Sequence, residues 1–375
     1  MNFDFNEDLH MLREQARRML QQQCPATAVR QVLEGKDAFD RKLWQEIAQL
    51  GWTGAAIPEQ FGGAGLGYEG LCVLAEELGR VLAPVPFASS VYQATEAILT
   101  HGSDAQKAAW LPRLASGEVI GTFALAEGLG NPSASAVRAH VEGGRLYATK
   151  WPVVDGGIAD FAVVVANDEA GAPGLYLVDL AGEGVARSPL ESVDPTRPQA
   201  KIVFDAAPAE KLAGGKSGWA AVERLLCKAA VLLAFEQIGG ASACVEMGTA
   251  YAKERIAFGR PIGSFQAIKH KLADMYTAAE LARSNAYYGA WALEADAPEL
   301  PLAAAAARVC ATDAYRFASR ENIQTHGGMG FTWELDCHLY LRRAGMLATQ
   351  LGSVTYWKDL LVTQWAAHDV AATAN

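Results

Sequence analysis

The chain has 375 residues, 51% hydrophobic and 20% charged, which is ordinary globular usage and excludes a disordered tail or a collagen-like fibre. Its 32 Lys and Arg against 42 Asp and Glu give a formal charge of −10, with no basic block. That makes sequence-independent nucleic-acid binding a poor candidate, although a local basic patch could still hold a phosphate-bearing small molecule.

The first section, residues 1–118, reads as helices. Apolar residues at Leu9, Met11, Leu12, Ala16, Met19 and Leu20 follow a helical spacing over 8–23. The pattern repeats over 41–50 and 70–81, and Pro84-Val85-Pro86 then interrupts it. Ser103-Asp104 is a candidate cap for a further helix. The second section, 119–212, changes period. Short β-branched or aromatic runs at 145–150, 161–165, 174–178 and 201–204 alternate with Gly143-Gly144, Gly156-Gly157 and Ala172-Pro173-Gly174. This spacing predicts a small antiparallel β-barrel or sandwich. The third section, 213–375, returns to helices: a long one over 219–258 crowded with small residues, others over 264–295 and 303–325, and a fourth from Cys337 or His338. Small side chains allow close helix approach, so a buried bundle is expected. The fold class is therefore α+β, in three segregated parts.

Several chemistries lack support. Gly65-x-Gly67-x-x-Gly70 follows Pro58-Glu59-Gln60-Phe61 where a dinucleotide fold needs a strand, and no acid lies about 20 residues on, so it reads as an inter-helix loop. The seven histidines form no H-E-x-x-H, and Asp336-Cys337-His338 is a poor metal cage because neighbours on a helix diverge; no metal is expected. No apolar run reaches about 18 residues without a charge, so no membrane span is expected. The six scattered cysteines contain no C-x-x-C and read as buried thiols of a reducing cytoplasm.

Two stretches carry more information. In 251–266, Arg255 and Phe258 stand three apart, as on one helix face, with Gly259 and Pro261 ending the helix. An arginine beside an aromatic at an element end can clamp a pyrophosphate and cover a ring. Equally, Arg255 can complement the helix dipole while Phe258 fills the core. In 324–332, Gly327-Gly328 is first a helix C-cap, and it also bares backbone for a ligand to approach.

Together, Arg255-x-x-Phe258-Gly259…Phe265-Gln266…Leu272-Ala273-Asp274-Met275, Gln324-x-x-Gly327-Gly328-x-Gly330 and Pro58-Glu59-Gln60-Phe61-Gly62-Gly63-Ala64-Gly65-Leu66 resemble the acyl-CoA dehydrogenase family. The resemblance spans nearly the whole chain. It implies an N-terminal helical domain, a middle β-domain and a C-terminal four-helix bundle, assembled as dimers or dimers of dimers. It further implies FAD, an acyl-CoA substrate, a glutamate that takes the α-proton, a flavin that takes the β-hydride, and an electron-transferring flavoprotein as acceptor. By this resemblance Arg255, Phe258, Gln266, Gln324, Gly327 and Gly328 would hold the pyrophosphate and adenine of a FAD whose ring lies on a neighbouring chain.

The chain departs from the family pattern in three places. Thr-Glu-Pro-x-x-Gly-Ser-Asp is here Ala126-Glu127-Gly128-Leu129-Gly130-Asn131-Pro132-Ser133, which keeps only the glutamate. Lys-x-Phe/Trp-Ile-Thr-Asn-Gly is Lys150-Trp151-Pro152-Val153-Val154-Asp155-Gly156, so valine replaces the threonine expected to bond the flavin ring. Tyr-Glu-Gly-Thr is Gln350-Leu351-Gly352-Ser353, which puts Leu351 at the usual base position. Glu246, on the small-residue, buried part of the long helix, is the remaining base candidate, since burial there could raise its pKa; the other reading is a paired structural acid. The degraded ring side beside intact neighbour-facing motifs suggests a subunit of an α2β2 enzyme for bulky acyl groups such as steroid side chains. The alternatives are a homo-oligomer with a relocated base and a non-redox acyl-CoA-binding scaffold.

Overall fold

The computed structural model describes residues 5–215 and 218–373; the first four residues of the acidic N-terminus lie outside that range. Helices come first: α1 (Glu7–Gln23), α2 (Ala26–Leu33), α3 (Arg41–Gln49), α4 (Gly67–Arg80), a π-helical segment (Ala88–Thr95) running into α5 (Glu96–His101), and α6 (Asp104–Ala115). Their starts follow the local sequence. Asn6 accepts from Leu9 N at 2.9 Å and Asp40 from Leu43 N at 2.9 Å. Ser103 and Gln106 form a reciprocal capping box ahead of α6.

Strands follow: β1 (Gly121–Ala124), β2 (His140–Glu142), β3 (Arg145–Val154), β4 (Phe161–Asn167), β5 (Pro173–Asp179), β6 (Val185–Leu190), β7 (Gln199–Pro208) and β8 (Glu210–Lys211). They form one sheet in the order β6-β7-β3-β2-β4-β5-β8, with β1 pairing β4. The sheet is open, so of the two expected forms the sandwich fits and a closed barrel does not. Pairing is mostly antiparallel, but β1 and β2 both run parallel to β4. β4 has sheet neighbours on both edges, which explains why Phe161 to Ala166 are all buried in one unbroken apolar run.

The rest is helical: α7 (Trp219–Glu254), a two-strand hairpin of β9 (Ile256–Ala257) and β10 (Arg260–Pro261), α8 (Gln266–Glu294), α9 (Leu300–His326), α10 (Cys337–Leu347) and α11 (Val354–Thr373). α7 is long and apolar enough to cross a membrane, yet 94% of its most apolar stretch is buried within the protein, as in a core helix. Two compact units divide the chain. One comprises Arg30–Leu71 and Pro84–Ala229 and contains the sheet; the other comprises Met1–Val29, Cys72–Ala83 and Ala230–Asn375 and contains the bundle. In the bundle unit, small residues set the closest crossings. A Cβ on Gly239 would lie 1.9 Å from Glu76 O, and one on Gly79 would lie 2.0 Å from Glu236 O, so α4 and α7 meet backbone to backbone.

Candidate functional site

In the bundle unit, α7 stops at Glu254, and Arg255 N still donates to Tyr251 O at 2.9 Å. The chain then turns sharply. Ala257 pairs with Arg260 and Ile256 with Pro261, leaving Phe258-Gly259 as a two-residue turn with φ of +52° and +77°. Positive φ at both turn positions matches the twist of a tight hairpin, and Gly259 adopts it without a Cβ penalty. Arg255 and Phe258 therefore do not share a helix face, as their spacing suggested. Phe258 sits at the hairpin tip, 95% exposed, so it does not fill a core. Ile262 N returns to Arg255 O at 2.8 Å, and α8 then begins at Gln266 with no side-chain cap. Ile268 N and Lys269 N donate to Phe265 O at 3.1 Å, and the positive end of the helix dipole lies at this turn.

α9 ends at the same end of this unit. The Tyr251 and His326 rings stack 4.1 Å apart, joining the last turns of α7 and α9. Lys271 and Glu321 pair at 2.7 Å between α8 and α9. Gly327 caps α9 with φ +60°, its N–H donating to Gln324 O. Gly330 packs so tightly that a Cβ would lie 2.4 Å from Ile323 O, which pins the following turn to the helix.

The six residues marked by the sequence are thereby gathered at one end. Arg255, Phe258, Gln266, Gln324, Gly327 and Gly328 are all exposed. Cβ atoms on Gly259, Gly327 or Gly328 would meet nothing within 4 Å, so the backbone there is open to a ligand. A guanidinium, two carboxamides, a ring, bare backbone and a helix N-terminus suit a phosphate-linked nucleotide. These groups fit the pyrophosphate and adenine end of FAD. Sequence reasoning missed Arg260, whose guanidinium lies 4.2 Å over Phe265 and adds a second cation. The signal was Gly259 between two short runs, a hairpin pattern.

The sheet unit holds the segments where the resemblance puts the flavin ring. Lys150 is fully buried, and its Nζ donates to Glu127 Oε1 at 2.7 Å, Val165 O at 2.6 Å and Leu125 O at 3.1 Å. Burial, partly opposed by Glu127, lowers its pKa to about 8. Glu127 also accepts from Arg138 N and Ala139 N, so the surviving glutamate is a brace between loop and strand. Val154 offers only backbone here: its carbonyl accepts from Thr122 Oγ1 at 2.7 Å. Pro152 lacks an N–H, and β3 slips its register against β7 between Lys150 and Val153. These residues do not reproduce a hydroxyl donor for a flavin ring.

The usual base position holds no base, and Glu246, the one candidate, is not in the buried part of its helix. Leu351 lies in the turn between α10 and α11 with φ +62° and has no group that accepts a proton. Glu246 is not buried: its side chain is 66% exposed, and both carboxylate oxygens accept from Arg80 Nη1 at 2.7 Å. Position 246 points outward although Cys244 and Gly248, on the same helix, face inward.

Comparison with known proteins agrees with the fold. The acyl-CoA dehydrogenase N-terminal domain model matches residues 6–118 and the C-terminal domain model residues 216–356. The chain belongs to the acyl-CoA dehydrogenase family. Among relatives, acyl-CoA dehydrogenase IpdE2 of Mycobacterium tuberculosis (strain ATCC 25618 / H37Rv) is 33% identical over 341 residues, covering 90% of this chain and 91% of that protein. A chain of a Tcur3481-Tcur3483 steroid ACAD variant superposes with TM-score 0.87 and 33% identity, over 97% of this chain and 99% of that one. A chain of the ChsE4-ChsE5 complex of Mycobacterium tuberculosis superposes with TM-score 0.89 and 27% identity, over 98% and 99%.

Proposed function

We propose that this chain is one subunit of a hetero-oligomeric, α2β2 acyl-CoA dehydrogenase. Residues 1–118, 119–212 and 213–375 are its three domains. Arg255, Phe258, Gln266, Gln324 and the Gly327-Gly328 backbone hold the pyrophosphate and adenine of FAD. The other chain holds the flavin ring and carries the base. Bound there, FAD would supply a hydride acceptor for Cβ of the acyl-CoA, with an electron-transferring flavoprotein as the onward acceptor.

One contrast carries this reading. The nucleotide-end groups are intact, exposed and clustered, whereas Leu351 and Val154 cannot do the acid–base and hydrogen-bonding work of their positions. Two structures it resembles are named as two-protein assemblies, which supports a shared site. Bulky acyl groups such as steroid side chains fit that likeness. The test is expression of the chain alone and beside an acyl-CoA dehydrogenase-like chain. Flavin absorbance and acyl-CoA oxidation should arise only on co-expression, and Arg255→Glu should cut flavin occupancy at least tenfold. A yellow, active single chain overturns the proposal.

A further inference from the structure

Arg308, on α9 inside the bundle unit, is 1% exposed, and its hydrogen-bond partners among the described residues are all neutral. Nη1 donates to Gln237 Oε1 and, at 3.0 Å, to Thr312 Oγ1. Nη2 donates to Leu347 O and, at 2.9 Å, to Gln350 O. The Nε–H is buried and meets no acceptor among the described residues. Beside it, Gln350 is 8% exposed, and neither atom of its carboxamide has a partner there. The charged group that acts on Arg308 is Glu236, which is already paired with Arg343 at 3.2 Å. Burial lowers the pKa of Arg308 to about 10, so the guanidinium stays charged at neutral pH. Dipoles do not balance it. Leu347 O and Gln350 O lie at the C-terminal end of α10, which supplies roughly half an elementary charge. A buried guanidinium needs a whole one, because an uncompensated ion is among the costliest groups to remove from water.

We infer that the bundle unit holds one small inorganic anion, of the halide class, at Arg308 Nε and the Gln350 carboxamide, which turns its N–H groups toward the ion. One negative charge matches one unbalanced guanidinium. Two donor groups suit a spherical ion better than an oxyanion, whose several oxygens would each need a partner in a buried site. The ion also acts on the backbone. Arg308 carries both carbonyls that lead into Leu351, so an anion that anchors its guanidinium fixes the passage from α10 to α11. The site stands apart from the nucleotide groups and does not depend on the proposed function.

The test takes the full chain, dialysed into gluconate, and titrates in bromide at constant ionic strength. Tm should rise with bromide, because a ligand bound by the folded chain alone stabilises it. Crystals grown in bromide should show an anomalous peak within hydrogen-bond distance of Arg308 Nε. Gln350→Leu removes one donor and should weaken bromide roughly tenfold or more in the same titration, with the circular dichroism spectrum unchanged. Arg308→Met should abolish the response; if that chain does not fold, Gln350→Leu still decides. A Tm indifferent to bromide overturns the inference. So does density at Arg308 Nε that lacks anomalous signal, which would be water. A Gln350→Leu chain with the wild-type bromide response overturns it as well, since the ion then binds elsewhere.

Discussion

Lys150 is the residue whose chemistry is most altered by folding. Its pKa falls from the usual 10.5 to about 8 because burial disfavours the cation more than Glu127 favours it. Below pH 8 the amine is charged in both folded and unfolded chains, and the full cost of burying that charge weighs on the fold. Between pH 8 and 10.5 the folded chain has released the proton while the unfolded chain retains it, so stability rises with pH across that window, by about 3 kcal/mol. Urea midpoints at about pH 8 and about pH 10 should show this rise in wild type, and Lys150→Met should flatten it. Sequence alone kept Glu127 as a family remnant; it could not show that the carboxylate braces Lys150 and two backbone N–H groups.

At the scale of elements, the α4–α7 crossing depends on two glycines that no motif picks out as a pair. Gly239→Ala would drive a Cβ to 1.9 Å from Glu76 O, and backbone on both sides cannot yield cheaply. A loss of about 3 kcal/mol or more is expected in thermal unfolding. Gly157→Ala, with nothing within 4 Å of its Cβ, should stay within about 0.5 kcal/mol of wild type. The helices themselves were legible: periodicity marked α1, α3, α8 and α9 to within a few residues, and Ser103 marked the start of α6. The hairpin after α7 was not. Its Arg-x-x-Phe spacing equals a helical repeat, and only the left-handed pair Phe258-Gly259 breaks it.

Across the bundle unit, buried acids tie helices distant in sequence. Glu76 accepts from Arg13 of α1 at 3.3 Å and from Arg283 of α8, while Glu77 receives Arg17 at 2.7 Å. Glu236 of α7 pairs with Arg343 of α10 at 3.2 Å, with both side chains 1% exposed. Removing one partner of a buried pair strands the other's charge. Glu76→Ala should therefore cost about 3–5 kcal/mol in denaturant unfolding. Adding Arg283→Ala should cost less than the sum of the single changes, because the stranded cation leaves with it.

The sequence by itself determined the order helices, strands, helices, the family, and which groups we propose for the nucleotide, because periodicity, turn residues and motifs are local and survive in one dimension. Tertiary structure decided what those groups face. It swung Glu246 outward onto Arg80, locked Lys150 to Glu127, and gathered two motifs about 70 residues apart at one end of the bundle through the Tyr251–His326 stack. Burial and pairing depend on neighbours that folding brings from elsewhere in the chain, and spacing along a sequence does not contain them.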